Sequence, residues 1–249
     1  MENKKGYIHS EILRNEKISE NVYLMELKGD FIAEPGQFFM VRTWDIDPIL
    51  SRPFSVCDIR DGNIVFLYLV VGKGTNILKN LKIGSFVDVL GPLGYGFRYK
   101  NIKKTAIVSG GIGIAPMLLL AKKLKEQGSS IDFYAGFREE DYFLEYLRQY
   151  VDNIYISSDS GKVGIKGNVL TIFNDNSYDA VFSCGPNIML KNLAEITDKS
   201  KLQVSLESNM ACGIGACLGC NINTISGGKR ICVEGPVFYA KEVYYESKC

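Results

Sequence analysis

Four of the seven cysteines in this 249-residue chain crowd into residues 212–232, with the spacing C-x4-C-x2-C-x11-C. They are Cys212, Cys217, Cys220 and Cys232. Such a segment must fold tightly enough for three thiols to converge on one metal centre, with the fourth arriving from a neighbouring strand. Three interleaved glycines let the backbone fold closely and point its amides at the sulfurs. The spacing matches that of a plant-type [2Fe–2S] site and therefore predicts an iron–sulfur cluster.

Two other interpretations of these cysteines stay open at the level of sequence. A structural zinc site would normally show two paired cysteine knuckles with the spacing C-x2-4-C, and here the fourth cysteine stands alone. Plain buried cysteines would rarely be interleaved with three glycines. Outside the cluster, we expect Cys57 to be a small core residue and the terminal Cys249 to have no role.

The single histidine, His9, excludes several classes of site. One imidazole cannot build a histidine-rich zinc site or a Rieske centre, and it allows a Ser-His-Asp arrangement only if His9 itself serves. The chain has 29 basic and 28 acidic residues, giving a net charge of +1. That balance argues against a nucleic-acid binder held by a broad basic surface.

The N-terminal stretch MENKKGYIHSEILRNEKISE is charged throughout and lacks the apolar core of a signal peptide. Two long uncharged runs, 105–121 and 208–228, are interrupted by glycines and other turn-forming or polar residues, which makes them poor membrane spans. An odd number of cysteines, mostly in one stretch, is unlike a secreted disulfide framework. These features predict a protein of the reducing cytoplasm, without membrane contact.

Residues 7–100 consist of short β-rich runs separated by turn-forming pairs such as Pro35-Gly36 and Asp61-Gly62. Strands are predicted at 22–28, 37–42, 54–58, 63–71 and 86–90. Many short strands at this spacing predict a small antiparallel barrel.

From Lys104 onward, predicted strands and helices alternate. The strands are at 105–109, 131–135, 154–157 and 180–183, and the helices at 116–127, 139–150 and 187–196. This alternation predicts an α/β domain with a parallel sheet and helices on its faces. The predicted organisation is a barrel at 1–100, an α/β domain at 101–200 and a cysteine-rich segment at 201–249. We expect the aromatic tail 238–245 to pack on the chain's own barrel, with docking of a partner as the alternative.

Two stretches of the barrel region suit a phosphate-bearing ligand. Gly72-Lys73-Gly74-Thr75 follows a strand and precedes a predicted helix at 76–81, whose free amides and Thr75 cap suit a pyrophosphate. Upstream, Arg52-Pro53-Phe54-Ser55 places a permanent cation, a ring and a hydroxyl at the start of a strand. An ordinary exposed turn and a surface arginine at a strand edge remain the alternatives.

The α/β region carries two further turns. Residues 109–116 (SGGIGIAP) follow its first strand, and Cys184-Gly185-Pro186 follows a later one, at the carboxyl ends where nucleotides bind. Glu139, Glu140 and Asp141 follow the second strand. A negative cluster there disfavours a 2′-phosphate and so favours NAD over NADP, although acidic residues also commonly begin a solvated helix.

Taken together and in this order, these motifs resemble the ferredoxin–NADP reductase superfamily over nearly the whole chain. Within it, SNMACGIGACLGC followed by RICVEGPVF is similar to the electron-transfer subunits of class B dihydroorotate dehydrogenases. The resemblance implies an FAD-binding barrel, an NAD-binding α/β domain and a small C-terminal [2Fe–2S] subdomain. It also implies an FMN-containing catalytic subunit as partner, which oxidises dihydroorotate in pyrimidine biosynthesis, in a heterotetramer of two plus two chains.

The resemblance assigns roles to individual residues. Arg52 would contact the FAD phosphates and Ser55 would lie near flavin N5, while Phe54 stands where relatives often carry tyrosine. The other residues that it places against FAD are Pro53, Leu67, Tyr68, Leu69, Val70, Gly74 and Thr75. On the nicotinamide side it places Gly111, Gly113, Pro116, Cys184, Gly185 and Pro186, and as cluster ligands it gives Cys212, Cys217, Cys220 and Cys232.

The implied mechanism is electron relay from the partner's FMN through the cluster to FAD and then, as hydride, to NAD⁺. Hydride transfer between two bound rings depends on positioning rather than on a protein base, so no catalytic residue is expected. One alternative is a subunit of a related complex, such as a sulfide dehydrogenase, an NADPH:ferredoxin oxidoreductase or a cytoplasmic hydrogenase. A redox-sensing module is the other.

Overall fold

The computed structural model describes residues 6–175 and 178–245, and Cys249 lies outside these ranges. The first part of the chain forms an antiparallel sheet. Its strands are β1 (Ile8–Ser19), β2 (Val22–Leu27), β3 (Phe38–Arg42), β4 (Arg52–Ser55), β5 (Asp58–Arg60), β6 (Asn63–Leu69) and β7 (Phe86–Leu93). They lie in the order β4-β3-β7-β1-β2-β6-β5. The sheet curls until β4 meets β6, where the Phe54 and Tyr68 rings stack with their centroids 5.0 Å apart. The predicted antiparallel barrel is confirmed, with β1 as a strand that the sequence patterns did not indicate.

Strand β6 is buried on both faces, which explains its nearly continuous apolar sequence. Ile64, Phe66 and Tyr68 point into the barrel core, whereas Val65 and Leu67 pack against the second half of the molecule. Successive side chains of a strand point to opposite faces, so one short strand joins both cores.

A short helix, α1 (Lys73–Lys79), follows β6 and begins earlier than the predicted helix at 76–81. Gly72 rather than Thr75 stands at its N-cap position. The Thr75 hydroxyl accepts the backbone N–H groups of Val71 and Gly72, at 3.0 and 3.1 Å. Thr75 therefore lies within the first turn of the helix and stabilises the backbone that precedes it.

The strands from residue 104 onward are β8 (Lys104–Gly110), β9 (Ser130–Phe137), β10 (Asn153–Ser158), β11 (Ile165–Lys166), β12 (Ala180–Cys184), β13 (Leu202–Ser205), β14 (Asn221–Thr224), β15 (Gly227–Arg230) and β16 (Val237–Tyr239). All but β14 and β15 form a second sheet in the order β11-β10-β9-β8-β12-β13-β16. Its strands are parallel except for β16, which runs antiparallel to β13. Strands β14 and β15 form a separate hairpin. The predicted α/β architecture is confirmed.

The helices of this half are α2 (Met117–Glu126), α3 (Leu144–Leu147), α4 (Asn187–Ile196) and α5 (Ala240–Val243). The predicted helix at 139–150 is mostly wrong, since only α3 is helical there. Phe143 has a φ of +69°, a left-handed conformation that interrupts a helix, and its buried ring stacks on Tyr146. Burial of this aromatic pair outweighs the helical tendency of the surrounding residues.

Helix α2 joins the two halves. The backbone N–H of Leu119 donates to the Cys57 carbonyl at 3.0 Å, and the Lys122 ammonium donates to both oxygens of Asp58, at 2.7 and 2.9 Å. Arg60 Nε also donates to Asp58, whose side chain is only 1% exposed. The buried carboxylate thus fixes the α/β half against the barrel, and Cys57 is the core residue that we expected.

The C-terminal part of the chain returns to the second sheet. Strands β13 and β16 belong to that sheet, so a domain boundary at residue 201 would cut through it, and the division into three domains stays a prediction. The expectation that the tail packs on the barrel is wrong for its backbone, which pairs with β13, although the Phe238 side chain does pack with Phe38 and Met40 of β3. Within residues 6–175 and 178–245, no helix is both long and apolar enough to cross a membrane.

Candidate functional site

A cleft of about 390 Å³ lies between the barrel and the second sheet. Its walls are β4 and β6 of the barrel, the turn after β8, and residues 205–210 after β13. The predicted site residues that line it are Arg52, Pro53, Phe54, Ser55, Leu67, Tyr68, Leu69, Thr75, Pro116 and Cys184. Those set back from it are Val70, Gly74, Gly111, Gly113, Gly185 and Pro186. Ile112 and Ala115 also line the cleft, within the predicted turn 109–116 although not named as contacts. Sequence reasoning gave no cleft role to Phe38, Val71, Pro236 or the stretch 205–210.

Arg52 lies at one end of the cleft in tight surroundings. Its Nη1 donates to the Leu50 carbonyl at 2.6 Å, and its guanidinium stands 5.5 Å from the centre of the Trp44 ring. A Cβ on Gly74 would lie 2.7 Å from Arg52 Nε and 2.8 Å from Trp44, so a larger residue at this position would displace these side chains. The buried Trp44 Nε1–H has no hydrogen-bond partner among the described residues. A permanent cation beside close backbone and an unused donor fits the phosphates of a dinucleotide.

The middle of the cleft offers a flat apolar wall. The Phe54 and Tyr68 rings stack there, and the Tyr68 hydroxyl donates to Asn15 Oδ1 at 3.1 Å, while burial raises the Tyr68 pKa. Val70 was predicted to line the cleft, but it packs against the barrel core. The exposed Val71 lines the cleft instead. Phe54 supplies the ring of the tyrosine expected at this position but not its hydroxyl. This wall fits a flavin ring.

The opposite wall is built at the carboxyl ends of β8 and β12, which are neighbours in the sheet although they are far apart in sequence. A Cβ on Gly113 would lie 2.3 Å from the Cys184 carbonyl oxygen, so the two turns are in direct contact. A Cβ on Gly111, whose φ is +55°, would meet only the Tyr142 hydroxyl, at 4.0 Å. Strands β9 to β11 are added on one side of β8, and β12 and β13 on the other, so the order of strands reverses between β8 and β12. Nucleotides bind at such a point in folds of this kind. Gly113 therefore closes the turn, and Gly111 leaves the backbone accessible.

Cys184 faces the cleft as a neutral thiol. Burial, together with the charge of Glu207, raises its pKa to about 12. Glu207 also lines the cleft, and desolvation raises its own pKa. The Cys184 thiol therefore adds no negative charge to the cleft at neutral pH.

The acidic stretch predicted to favour NAD lies in the loop after β9. Glu139, Glu140 and Asp141 are exposed, and the Glu139 carboxylate pairs with Lys162 at 2.5 Å. That ion pair lowers the pKa of Glu139 and raises that of Lys162. The preference for NAD over NADP stays a prediction.

The four predicted cluster cysteines come together as two pairs. Cys220 directly precedes β14 and Cys232 follows β15 by one residue, so the hairpin brings their sulfurs to 3.2 Å. Cys212 and Cys217 lie on the preceding loop, where the Cys217 N–H donates to Cys212 Sγ at 3.4 Å. The separation of eleven residues between Cys220 and Cys232 is thus the length of one hairpin.

Backbone amides surround these sulfurs. The Gly219 N–H points at Cys217 Sγ and the Cys232 N–H at Cys220 Sγ, each at 3.5 Å. Although desolvation opposes the shift, backbone amides lower the pKa of Cys212 to about 6. Burial and the neighbouring Cys220 raise the pKa of Cys232 to about 12.

The donor set fits an iron–sulfur cluster better than zinc. All four donors are cysteine sulfurs, and they are held as two pairs. Two thiol pairs with amides aimed at the sulfurs suit two irons that take two cysteines each.

The cysteine centre and the cleft share a wall. Met210 lines the cleft and also packs in the same apolar cluster as Cys220 and Cys232. Phe38 does the same from the barrel side. A Cβ on Gly213 would lie 2.7 Å from Met40 Cγ, so the cysteine loop rests directly on β3. Apolar side chains therefore separate the two sites without an intervening solvent layer.

Comparison with known proteins supports this arrangement. The family model described as the iron-sulfur cluster binding domain of dihydroorotate dehydrogenase B matches residues 207–244. The chain is 45% identical over 243 residues to the dihydroorotate dehydrogenase B (NAD(+)) electron transfer subunit of Clostridium acetobutylicum, covering 96% of this chain and 98% of that one. It is 41% identical over 244 residues to the same subunit of Clostridium perfringens, with coverage of 96% and 98%.

Two solved structures show the same fold. An NADH-dependent reduced ferredoxin-NADP oxidoreductase, described for flavin-based electron bifurcation, superposes with a TM-score of 0.85 at 32% identity, covering 94% of this chain and 89% of that one. Phthalate dioxygenase reductase superposes with a TM-score of 0.68 at 22% identity, covering 82% and 70%.

Proposed function

The chain belongs to the family of dihydroorotate dehydrogenase B (NAD(+)) electron transfer subunits, and from that premise we propose that it carries electrons from a dihydroorotate-oxidising partner subunit to NAD⁺. The observation that carries the proposal is the wall shared by the cleft and the cysteine centre. Phe38, Leu206 and Met210 each line the cleft and also pack in the apolar cluster of the cysteines, so the two redox sites stand side by side.

FAD in the cleft supplies hydride chemistry with the nicotinamide of NAD, and the [2Fe–2S] cluster supplies one-electron transfer. The chain's residues hold these groups in position. Arg52 binds the dinucleotide phosphates, and Leu67, Tyr68 and Leu69 support the flavin ring. Ser55, next to Phe54 on β4, also lines the cleft and would offer the ring a hydroxyl.

On the nicotinamide side, Pro116 and Cys184 form the facing wall, and Gly111 leaves its backbone accessible to the ligand. The neutral Cys184 thiol is a small contact that adds no charge. The four paired cysteines hold the cluster. Since none of these side chains has to take up a proton from the substrate, positioning and exclusion of water are the contribution of the protein.

The partner is a catalytic subunit, and we infer that it carries FMN. Oxidation of dihydroorotate releases two electrons together, whereas an iron–sulfur cluster accepts one at a time, so the partner needs a carrier that stores two. The assembly of two plus two chains is proposed from the family resemblance. The cytoplasm is proposed as the compartment because the described cysteines are all free thiols, as ligation requires.

The test is anaerobic co-expression with the catalytic subunit, followed by iron and flavin analysis and by measurement of dihydroorotate-dependent NADH formation. We expect flavin and iron–sulfur absorbance, and loss of iron in Cys217→Ser. The matched control is Cys57→Ala, which removes a thiol outside the cluster and should retain iron. Turnover with reduced ferredoxin but not with dihydroorotate would contradict the proposal and favour the bifurcating oxidoreductase, the second candidate that the 32% identity supports.

A further inference from the structure

A salt-bridged arginine lies against the cysteine loop. Arg230 ends β15, and its backbone N–H and its Nε–H donate to Glu234 Oε2 at 2.7 and 3.2 Å, while Nη2 donates to Oε1 at 2.5 Å. The remaining nitrogen, Nη1, donates to the Gly215 carbonyl at 3.2 Å. The guanidinium therefore connects the base of the hairpin to the loop that carries Cys212 and Cys217.

The contact between Arg230 and Gly215 is close. Gly215 has a φ of +81°, and a Cβ there would lie 3.0 Å from Arg230 Nη1 and 2.6 Å from Val233 Cγ2. No larger residue can present its carbonyl to the cation in this conformation. The carboxylate of Glu234 holds the guanidinium by two parallel hydrogen bonds, which fixes its direction as well as its place.

Arg230 binds the loop that joins Cys212 to Cys217. The Gly215 carbonyl accepts from Arg230 Nη1 at 3.2 Å, and two residues further along the same loop the Cys217 N–H donates to Cys212 Sγ at 3.4 Å. The guanidinium therefore holds a fixed positive charge beside the turn whose amide points at a cysteine sulfur. Arg230 also stands two residues before Cys232, so the second thiol pair lies close to it along the chain.

We propose that Arg230 is a positioning residue that raises the reduction potential of the iron–sulfur cluster, with Glu234 orienting it and partly offsetting its charge. The inference rests on the proposed ligation of the cluster by the four cysteines. One-electron reduction adds one negative charge to the cluster and breaks no bond, so a fixed cation nearby stabilises the reduced form. Arginine remains protonated at all working pH values, so this contribution is permanent.

The test is a redox titration of the anaerobically purified complex, followed by electron paramagnetic resonance of the reduced cluster. Arg230→Met should lower the ratio of reduced to oxidised cluster at a fixed potential about tenfold, which is about 59 mV for a one-electron couple. Arg230→Lys keeps the charge and should restore most of the ratio. Glu234→Gln should move the potential in the opposite direction because it removes the offsetting charge.

Lys229→Met is the matched control, since it removes the same charge from the neighbouring residue, whose side chain points to the other face of the hairpin. It should shift the potential by less than a third as much as Arg230→Met. Iron and sulfide content report whether each variant holds its cluster. If Arg230→Met loses its cluster, the reduction potentials of Arg230→Lys and Glu234→Gln test the proposal instead. Iron-free wild-type protein would contradict the proposed function. Full iron content with an unchanged potential, or with both charge changes acting in the same direction, would overturn the role of Arg230.

Discussion

Glycines of this chain differ in whether a larger residue could replace them, and only the structure shows the difference. Gly74 stands where a Cβ would collide with Arg52 and Trp44, and Gly113 where it would collide with the Cys184 carbonyl. Gly6 has open space around it. The first two are therefore requirements of packing, whereas the third can be replaced.

Replacing Gly74 with alanine should weaken flavin binding by displacing Arg52 from the phosphate end of the cleft. We expect the FAD dissociation constant to rise about tenfold, equivalent to about 1.4 kcal/mol. Fluorescence titration of flavin-free protein measures this value. Gly6→Ala is the control and should leave the constant unchanged within about twofold. Equal affinity in both variants would show that Arg52 does not hold the phosphates.

The cysteines show what the sequence could and could not reveal at this scale. Their spacing predicted the cluster, because ligand spacing is itself a property of sequence. Their division into pairs could not be predicted, since it depends on the β14–β15 hairpin that brings Cys220 to Cys232. Arg230 likewise carried no signal, because its partner Gly215 lies on a different loop.

At the scale of elements, helix α2 is held to the barrel by a buried carboxylate. Asp58 receives hydrogen bonds from both Arg60 and Lys122, and its own side chain is 1% exposed. Removing one cation leaves a buried charge less well compensated, which costs more than the interaction itself contributed.

Lys122→Met should therefore lower the free energy of unfolding by about 2 to 3 kcal/mol, the cost of a lost hydrogen bond to a buried charge. Lys123→Met on the same helix removes only an exposed pair with Glu126 and should change it by less than about 0.5 kcal/mol. Urea unfolding at neutral pH compares the two variants. Equal midpoints would mean that Asp58 is adequately compensated by Arg60 alone.

Most elements were predictable because their periodicity is local. Strands β8, β9 and β12 are short and mostly apolar, and α2 has an apolar face at helical spacing. The predicted helix at 139–150 failed because burial of Phe143 and Tyr146 set the backbone. The position of β16 in the second sheet could not be predicted, since its pairing with β13 spans the entire cysteine segment.

At the scale of the whole molecule, residues 206–236, the cysteine segment between β13 and β16, contribute no strand to either large sheet. Its hairpin pairs only with itself, and its loop rests on the barrel through Gly213. The two sheets and the cleft between them therefore have their own cores, distinct from the apolar cluster around Cys220 and Cys232.

Removing iron with an anaerobic chelator should consequently loosen this segment without unfolding the rest. We expect trypsin to cleave after Lys229 and Arg230 about tenfold faster, as a local opening would allow, while bound flavin and far-ultraviolet circular dichroism stay nearly constant. Mass spectrometry of the early fragments locates the cuts. Loss of flavin together with iron, or cleavage throughout the chain, would show that the segment supports the whole fold.

Because Ser205 pairs with Val237, the segment is a long loop whose two ends lie side by side in the second sheet. For a flexible loop, the entropic cost of closure grows only with the logarithm of its length, about 0.6 kcal/mol for each doubling. Residues can therefore be inserted far from these two ends at little thermodynamic cost. The paired ends adjoin the stretch 205–210, which lines the cleft, so they keep the redox centre next to the flavin whatever the length of the loop.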